Sequence, residues 1–257
     1  MADSARPPSR SGATSLPERS AVDIEVQRLL TGVVLIQLRG SVDADAASGL
    51  ETELIHTALT GQMQPPCLLL DLSYSMVLRD RWGPAKATAL ALHALVSGMY
   101  PQDAMQVIGF SSYARVLSPT DLASLEPDYV QGTNLQHALM LAGRFLDKHP
   151  DGEPIVLVVT DGEPTAHLMP NGRPWFAWPP EPETITLTVA EVDRMTRRGA
   201  AVNVFQLDDD PRLTEFVHEL ARRNGGRVFT SDGSALGKYV VSDYLSRRTS
   251  RRGRQAG

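Results

Sequence analysis

Short apolar runs alternate along most of the chain with longer segments in which apolar residues recur at helical spacing. The uninterrupted runs at 67–70 and 155–159 indicate strands buried on both faces of a sheet. Residues 84–99 and 135–146 instead place apolar side chains about every 3.6 residues, which predicts helices that pack on that sheet. This alternation predicts an α/β fold with a mainly parallel sheet and helices on both faces.

The remaining central segments extend the same pattern. Further strands are predicted at 105–110, 114–117, 201–207 and 227–230, and further helices at 211–224 and 234–244. The short turn between the strands at 105–110 and 114–117 predicts a hairpin, so the second is expected to be an antiparallel edge strand. Residues 184–198 fit both a strand and a helix, and their length favours the helix. Residues 76–83 and 162–182 are predicted to be loops.

The two ends of the chain lack the periodicity of its centre. Residues 1–20 are rich in Ser, Pro and Arg and are expected to form a disordered tail. Residues 21–62 predict an added strand–helix unit on the main sheet, with strands near 23–30 and 33–38 and a helix at 43–59. Residues 63–246 are expected to form the main domain, followed by a basic, disordered tail at 247–257.

Composition narrows the classes of protein to which the chain can belong. An apolar fraction of 42% and a charged fraction of 21% are ordinary for a soluble globular protein. The single Cys67 excludes an internal disulfide and fits a reducing compartment. No apolar run approaches the roughly 18 residues needed to cross a membrane, and no apolar segment resembles a secretion signal. A cytoplasmic protein is therefore expected, without membrane insertion.

The C-terminal segment is rich in arginine, although the net charge of the chain is −5. A basic arm on an acidic body could bind nucleic acid or an acidic partner. The arm carries no interleaved aromatic residues, which disfavours nucleic acid and favours a solvated tail.

Oxygen-bearing side chains follow the two buried apolar runs. Asp71, Ser73 and Ser75 come after the first run, and Asp161 comes after the second. Thr133 lies between them, in a loop that begins a helix. If the two strands are neighbours in a parallel sheet, these side chains meet at its carboxyl edge. Carboxylates and hydroxyls without sulfur predict a site for a hard cation, namely Mg²⁺, with Mn²⁺ or Ca²⁺ as alternatives.

Three segments in this order resemble a known motif. Asp-Leu-Ser-Tyr-Ser at 71–75, Gln-Gly-Thr-Asn at 131–134 and Val-Val-Thr-Asp-Gly at 158–162 are similar to the metal-ion-dependent adhesion site (MIDAS) of von Willebrand factor type A (vWA) domains. The resemblance extends over about residues 66–245. It implies a Rossmann-like, doubly wound sheet with one short antiparallel edge strand.

The resemblance also implies a ligand set and a function. It implies a divalent ion held by Ser73, Ser75 and Thr133, with Asp71 and Asp161 bonding directly or through water. In this family an Asp or Glu of a partner completes the coordination of the ion. The resemblance therefore implies a protein-binding module rather than an enzyme.

Two further resemblances concern the partner and the N-terminal unit. The sequences at 82–92 and 160–167 resemble those of an intracellular bacterial branch of the family. Members of this branch are similar to CoxE and the magnesium-chelatase D subunit. Membership of that branch implies an adaptor or co-chaperone that works with a MoxR-type AAA+ ATPase. Residues 33–73 also resemble the start of a STAS domain, although 74–83 lacks the loop and helix start that a STAS domain has.

Alternatives remain at two places. Asp71 after a buried strand is compatible with a metal-dependent hydrolase or phosphatase, but Ser73 stands where an aspartyl phosphotransferase has its second Asp. A STAS-like regulatory module would instead predict phosphorylation of Ser73. In the loop at 162–182, partner-binding side chains are expected at His167, Trp175, Phe176 and Trp178. The aromatic residues among them could equally pack this loop onto its own domain.

Overall fold

The computed structural model describes residues 23–28, 34–39 and 65–250, except 102, 127–128, 151 and 232–234. For 23–28, 34–39 and 246–250 it describes the backbone alone. The strands are β1 Asp23–Arg28, β2 Val34–Arg39, β3 Pro66–Asp71, β4 Gln106–Phe110, β5 Ala114–Leu117, β6 Ile155–Thr160, β7 Ala166–Leu168, β8 Pro174–Phe176, β9 Ala201–Gln206 and β10 Val228–Thr230. The helices are α1 Tyr74–Leu78, α2 Trp82–Met99, α3 Pro119–Ser124, α4 Leu135–Leu146, α5 Pro182–Arg197, α6 Pro211–Asn224 and α7 Leu236–Ser250. The predicted tail at 1–20 and the predicted helix at 43–59 lie outside the described residues.

A six-stranded sheet in the order β10-β9-β6-β3-β4-β5 forms the centre of the domain. All neighbouring strands in it are parallel except β5, which pairs antiparallel with β4 at the edge. Strand β3 lies directly between β4 and β6, so the ends of β3 and β6 are adjacent. The predicted Rossmann-like sheet with one antiparallel edge strand is confirmed.

Both faces of the sheet are buried, which explains the uninterrupted apolar runs. On one face Leu68 and Leu70 belong to a cluster with α2 and α7. On the other face Cys67 and Leu69 pack in a cluster with α4, α5 and α6. Burial also raises the pKa of the Cys67 thiol, because the thiolate would lose its hydration.

Two short helices differ from the sequence-based expectation. The predicted loop at 76–83 contains part of α1, and α2 already begins at Trp82. Helix α3 was not expected at all. Helices of five or six residues are too short to show an apolar stripe. The capping box that Ser118 forms with Asp121 was the available indication of α3.

The predicted loop at 162–182 is also partly structured. Strands β7 and β8 form an antiparallel hairpin within it, in which Ala166 pairs with Phe176. Each strand has three residues, too few for an alternation to stand out. The ambiguous segment at 184–198 is helical, as its length suggested, and α7 continues to Ser250, beyond the predicted end of the domain.

The N-terminal strands form a sheet of their own. Strands β1 and β2 pair antiparallel, and the main sheet does not include either of them. Two strands were expected here, but not as a hairpin separate from the main sheet. Among the described residues, none of the helices has the length and apolarity needed to cross a membrane.

Candidate metal centre

Strand β3 places Asp71 at the carboxyl edge of the sheet, fully buried. The backbone N–H of Ser73 donates to Asp71 Oδ1 at 2.8 Å. The hydroxyl of Thr160, the last residue of β6, donates to Asp71 Oδ2 at 2.6 Å. Both carboxylate oxygens therefore have partners that fix the orientation of the side chain.

The two serines of the motif lie at the start of α1. Ser73 is the residue before this helix and has an extended backbone conformation. Its Oγ lies 3.1 Å from Ser75 Oγ, and Ser75 Oγ donates to Asp161 Oδ1 at 2.7 Å. Asp161 directly follows β6, so neighbouring strands bring the two motifs together as the sequence predicted.

The loop that carries Thr133 is fixed to the hairpin on one side and to the first motif on the other. The Thr133 N–H donates to Thr165 Oγ1 at 2.9 Å, and the Thr133 carbonyl accepts the Thr165 N–H at 3.2 Å. The Tyr74 N–H donates to the Val130 carbonyl at 3.2 Å, which joins this loop to α1.

Four of the five predicted ligands line one pocket. Ser73, Ser75, Thr133 and Asp161 border a space of about 470 Å³, and Asp71 is buried behind Ser73. The structure therefore brings together all five residues that the sequence assigned to the site.

The electrostatics of the cluster favour a bound cation. Burial, and then the charge of Asp161, raise the pKa of Asp71 to about 7. Burial also raises the pKa of Asp161, although Ser75 and Arg79 act to lower it. Asp161 Oδ2 is buried and has no hydrogen-bond donor. A buried carboxylate oxygen without a hydrogen bond is costly even with the guanidinium of Arg79 3.6 Å away, so the two carboxylates and three hydroxyls fit a hard divalent cation.

Arg79 is a neighbour of the site that the sequence analysis missed. Its Nη1 donates to the Asp161 carbonyl at 3.1 Å and lies 3.0 Å from Asp208 Oδ2. The distance from Nη1 to Asp161 Oδ2 is 3.6 Å, too long for a hydrogen bond. Nothing in the local sequence pairs Arg79 with residues so far along the chain.

Thr160 and Thr165 were also missed, and both position predicted ligands. Thr160 orients Asp71, and Thr165 holds the backbone of Thr133. The only indication in the sequence was that each threonine lies close to Asp161.

The four predicted partner-binding residues do not form one group. Phe176 and Trp178 line the pocket and are 41% and 61% exposed. Trp175 is exposed outside it, and its indole N–H donates to Glu181 Oε2 at 3.0 Å. His167 is buried, with Nδ1 2.8 Å from Thr184 Oγ1, so it contributes to the packing of the hairpin on α5.

The described residues contain no cluster of three or more His, Cys, Asp or Glu side chains that could hold a metal ion. Within that part of the chain, the hydroxyl-rich cluster around Asp161 is the metal-site candidate that the geometry supports.

Comparisons with known proteins place the domain in a family. The family model described as "Rv0959-like protein, vWA domain" matches residues 66–245. The uncharacterized protein Rv0959 of Mycobacterium tuberculosis is 46% identical over 224 residues, which cover 86% of this chain and 33% of that relative. The uncharacterized protein Mb0984 of Mycobacterium bovis gives the same values. The matched region thus covers about a third of the length of these relatives.

Solved structures agree on the fold. The vWF domain of the type V pili tip protein Mfa5 from Porphyromonas gingivalis superposes with a TM-score of 0.55 at 11% identity, covering 73% of this chain and 96% of that one. A von Willebrand factor type A protein from Catenulispora acidiphila gives 0.51 at 18% identity, covering 74% and 42%. These identities support a shared fold alone. Since the family model spans most of the chain, the protein belongs to the Rv0959-like family of vWA-domain proteins.

Proposed function

We propose that this domain binds Mg²⁺ through Asp71, Ser73, Ser75, Thr133 and Asp161, and that the ion binds an acidic side chain of a protein partner. The observation that carries the proposal is the buried Oδ2 of Asp161, which has no hydrogen-bond donor beside a pocket lined by hydroxyls. Mn²⁺ or Ca²⁺ would suit the same oxygen ligands.

The ligand set supports binding of an external carboxylate. Three of the five ligands are neutral hydroxyls, and Asp71 already accepts two hydrogen bonds. An ion held largely by neutral oxygens keeps much of its positive charge, so an anionic oxygen from outside is attracted to it. When bound, the metal would supply a Lewis-acidic centre at the pocket floor for that oxygen.

Thermal unfolding with increasing Mg²⁺ tests the metal site. Mg²⁺ at a hundredfold excess over Kd is expected to raise the free energy of unfolding of the native protein by about 2.7 kcal/mol. Its melting temperature should rise accordingly. Thr133→Ala should lose this effect, and Thr186→Ala should keep it, because Thr186 is exposed on α5. A native protein whose melting temperature is unchanged by Mg²⁺, Mn²⁺ and Ca²⁺ would contradict the proposal.

We further propose that the partner is a cytoplasmic AAA+ ATPase of the MoxR type, with this protein as its adaptor or co-chaperone. The support is the resemblance of residues 82–92 and 160–167 to that branch of the family. An ATPase encoded beside this protein should be retained by the immobilised chain in Mg²⁺ and released by a chelator. Equal retention by native protein and Thr133→Ala would exclude a metal-mediated contact.

The competing hydrolase hypothesis is tested with the same variant. Turnover of p-nitrophenyl phosphate that requires metal and is abolished by Thr133→Ala would favour a phosphatase over a binding module. We expect no such turnover, because the carboxylates of the pocket lining are already engaged. Asp161 is a proposed ligand, and Glu163 and Asp210 pair with Arg212, so none of them is left as a general base.

A further inference from the structure

The lining of the pocket at the candidate metal centre includes side chains of two different kinds. Ser73, Ser75 and Thr133 contribute hydroxyls, and Phe176 and Trp178 contribute aromatic surface, here called the aromatic wall. The volume of about 470 Å³ is typical of sites that hold several groups of a ligand. A single carboxylate on the polar side would leave the aromatic side unfilled.

Trp178 is held in place although most of its side chain is exposed. The guanidinium carbon of Arg212 lies 5.0 Å from the centre of the Trp178 ring, within the range of a cation–π contact. Arg212 Nε in turn lies 3.5 Å from Glu163 Oε1. Glu163 stands two residues after Asp161, so the position of the indole is linked to the segment that carries a proposed ligand.

The Phe176 ring lies close to the loop that carries Thr133. A Cβ on Gly132 would lie 3.4 Å from Phe176 Cδ2, and Gly132 has a φ of +106°, a conformation that favours glycine. Ala166, the pairing partner of Phe176, also donates its N–H to the Thr133 carbonyl at 3.4 Å. The aromatic wall and the hydroxyl of Thr133 are therefore parts of one connected structure.

The charge around this wall indicates what it can bind. The positive charge of Arg212 lies beside two carboxylates, those of Glu163 and Asp210, so the negative charges here outnumber it. The aromatic wall therefore offers apolar surface rather than a second site for an anion. Exposed aromatic side chains that are held in position are typical of protein-binding surfaces.

We propose that Phe176 and Trp178 form an apolar subsite for an aromatic or large aliphatic side chain two residues from the acidic residue of an extended partner segment. The inference rests on the proposed function, because the contact of the carboxylate with the ion would place the rest of the segment. Side chains two residues apart in an extended segment point to the same face and are about 7 Å apart, so both can enter one pocket of this size.

Labelled hexapeptides with the full-length chain test this subsite. One peptide carries Asp among Gly and Ser, two carry Trp two residues before or two residues after that Asp, and one carries Trp without Asp. Fluorescence anisotropy measures each affinity in Mg²⁺ and in chelator. The proteins are the native chain, Trp178→Ala, Trp178→Phe and the matched control Trp175→Ala, in which a nearby tryptophan of β8 outside the pocket is removed.

With Mg²⁺, we expect one Trp–Asp order to bind at least about tenfold more tightly than Asp alone. Trp178→Ala should lose this gain, Trp178→Phe should keep part of it, and Trp175→Ala should keep all of it. The rise in melting temperature with Mg²⁺ should be the same in all four proteins, which shows that the metal site is intact.

Three outcomes would overturn the inference. If all peptides with Asp bind equally and only with Mg²⁺, the subsite is wrong and the proposed function stands. If no peptide with Asp binds better in Mg²⁺ than in chelator, the proposed function fails and the subsite fails with it. Equal binding of the peptide that lacks Asp would likewise refute a subsite coupled to the carboxylate.

Discussion

Replacing Asp71 with Asn tests whether the buried carboxylates belong to a metal site or to the fold itself. The change removes one charge and keeps the shape of the side chain. The amide oxygen can accept the Ser73 N–H in place of Oδ1, and the amide N–H can donate to Thr160 Oγ1. Thr160 would then donate its proton to the Gly162 carbonyl, 3.0 Å away. All the hydrogen bonds of Asp71 thus have a substitute.

The expected effect on the metal-free protein follows from the pKa of Asp71. Because this pKa is about 7 in the folded chain and ordinarily 3.8, the folded state binds more protons than the unfolded state between these values. Asp71 therefore lowers the stability of the metal-free protein as the pH rises from 4 through 7, by an amount on the order of 4 kcal/mol at about 1.4 kcal/mol per tenfold change in proton affinity. Asp71→Asn removes this loss, so the variant should be more stable than the native protein at pH 8, by up to roughly 15 °C in melting temperature.

Differential scanning calorimetry at several pH values, with chelator and with Mg²⁺, measures both effects. Asp71→Asn should show a flatter dependence of melting temperature on pH in chelator and little response to Mg²⁺. The native protein should show the opposite behaviour. A variant less stable than the native protein at pH 8 in chelator would contradict this prediction, because Asp71 would then support the fold as a charged group.

Three further outcomes are expected. The rise in melting temperature that Mg²⁺ produces in the native protein should grow between pH 5.5 and 8, because protons compete with the ion for Asp71; a constant rise, measured by calorimetry, would contradict this. Thr165→Val leaves the buried N–H of Thr133 without its acceptor, so urea unfolding should show a loss of about 1–3 kcal/mol, and Mg²⁺ should bind more weakly. Arg227→Ala removes the ion-pair partner of the buried Asp243 and should cost about 2 kcal/mol, whereas the exposed Arg222→Ala should cost under about 0.5 kcal/mol; equal losses would show that the pair does not anchor α7.

The central sheet and the cluster of oxygen-bearing side chains at its edge were predictable because each depends on a distinctive pattern in the sequence. An apolar run followed at once by Asp71 or Asp161 indicates a doubly buried strand with a polar end, and two such strands in parallel bring the ends together. The place of Thr133 followed from the loop that begins α4. In each case the pattern lies within a short stretch of sequence.

The features that were missed depend on contacts between distant parts of the chain. Arg79 contacts Asp208, and Trp178 contacts Arg212, without any local pattern that links the two members of either pair. The same holds for the burial of His167, whose partner Thr184 lies on the following helix. Local periodicity cannot show which surface side chains fold back onto one another.

Cys67 has a practical consequence for studying this protein. It is the single cysteine of the chain, it is fully buried in the central strand, and burial keeps its thiol protonated and unreactive. A cysteine introduced at an exposed position of the β7–β8 hairpin would therefore react selectively with a maleimide dye in the native background. The chain can thus carry a fluorophore beside the pocket without first losing a residue from its core.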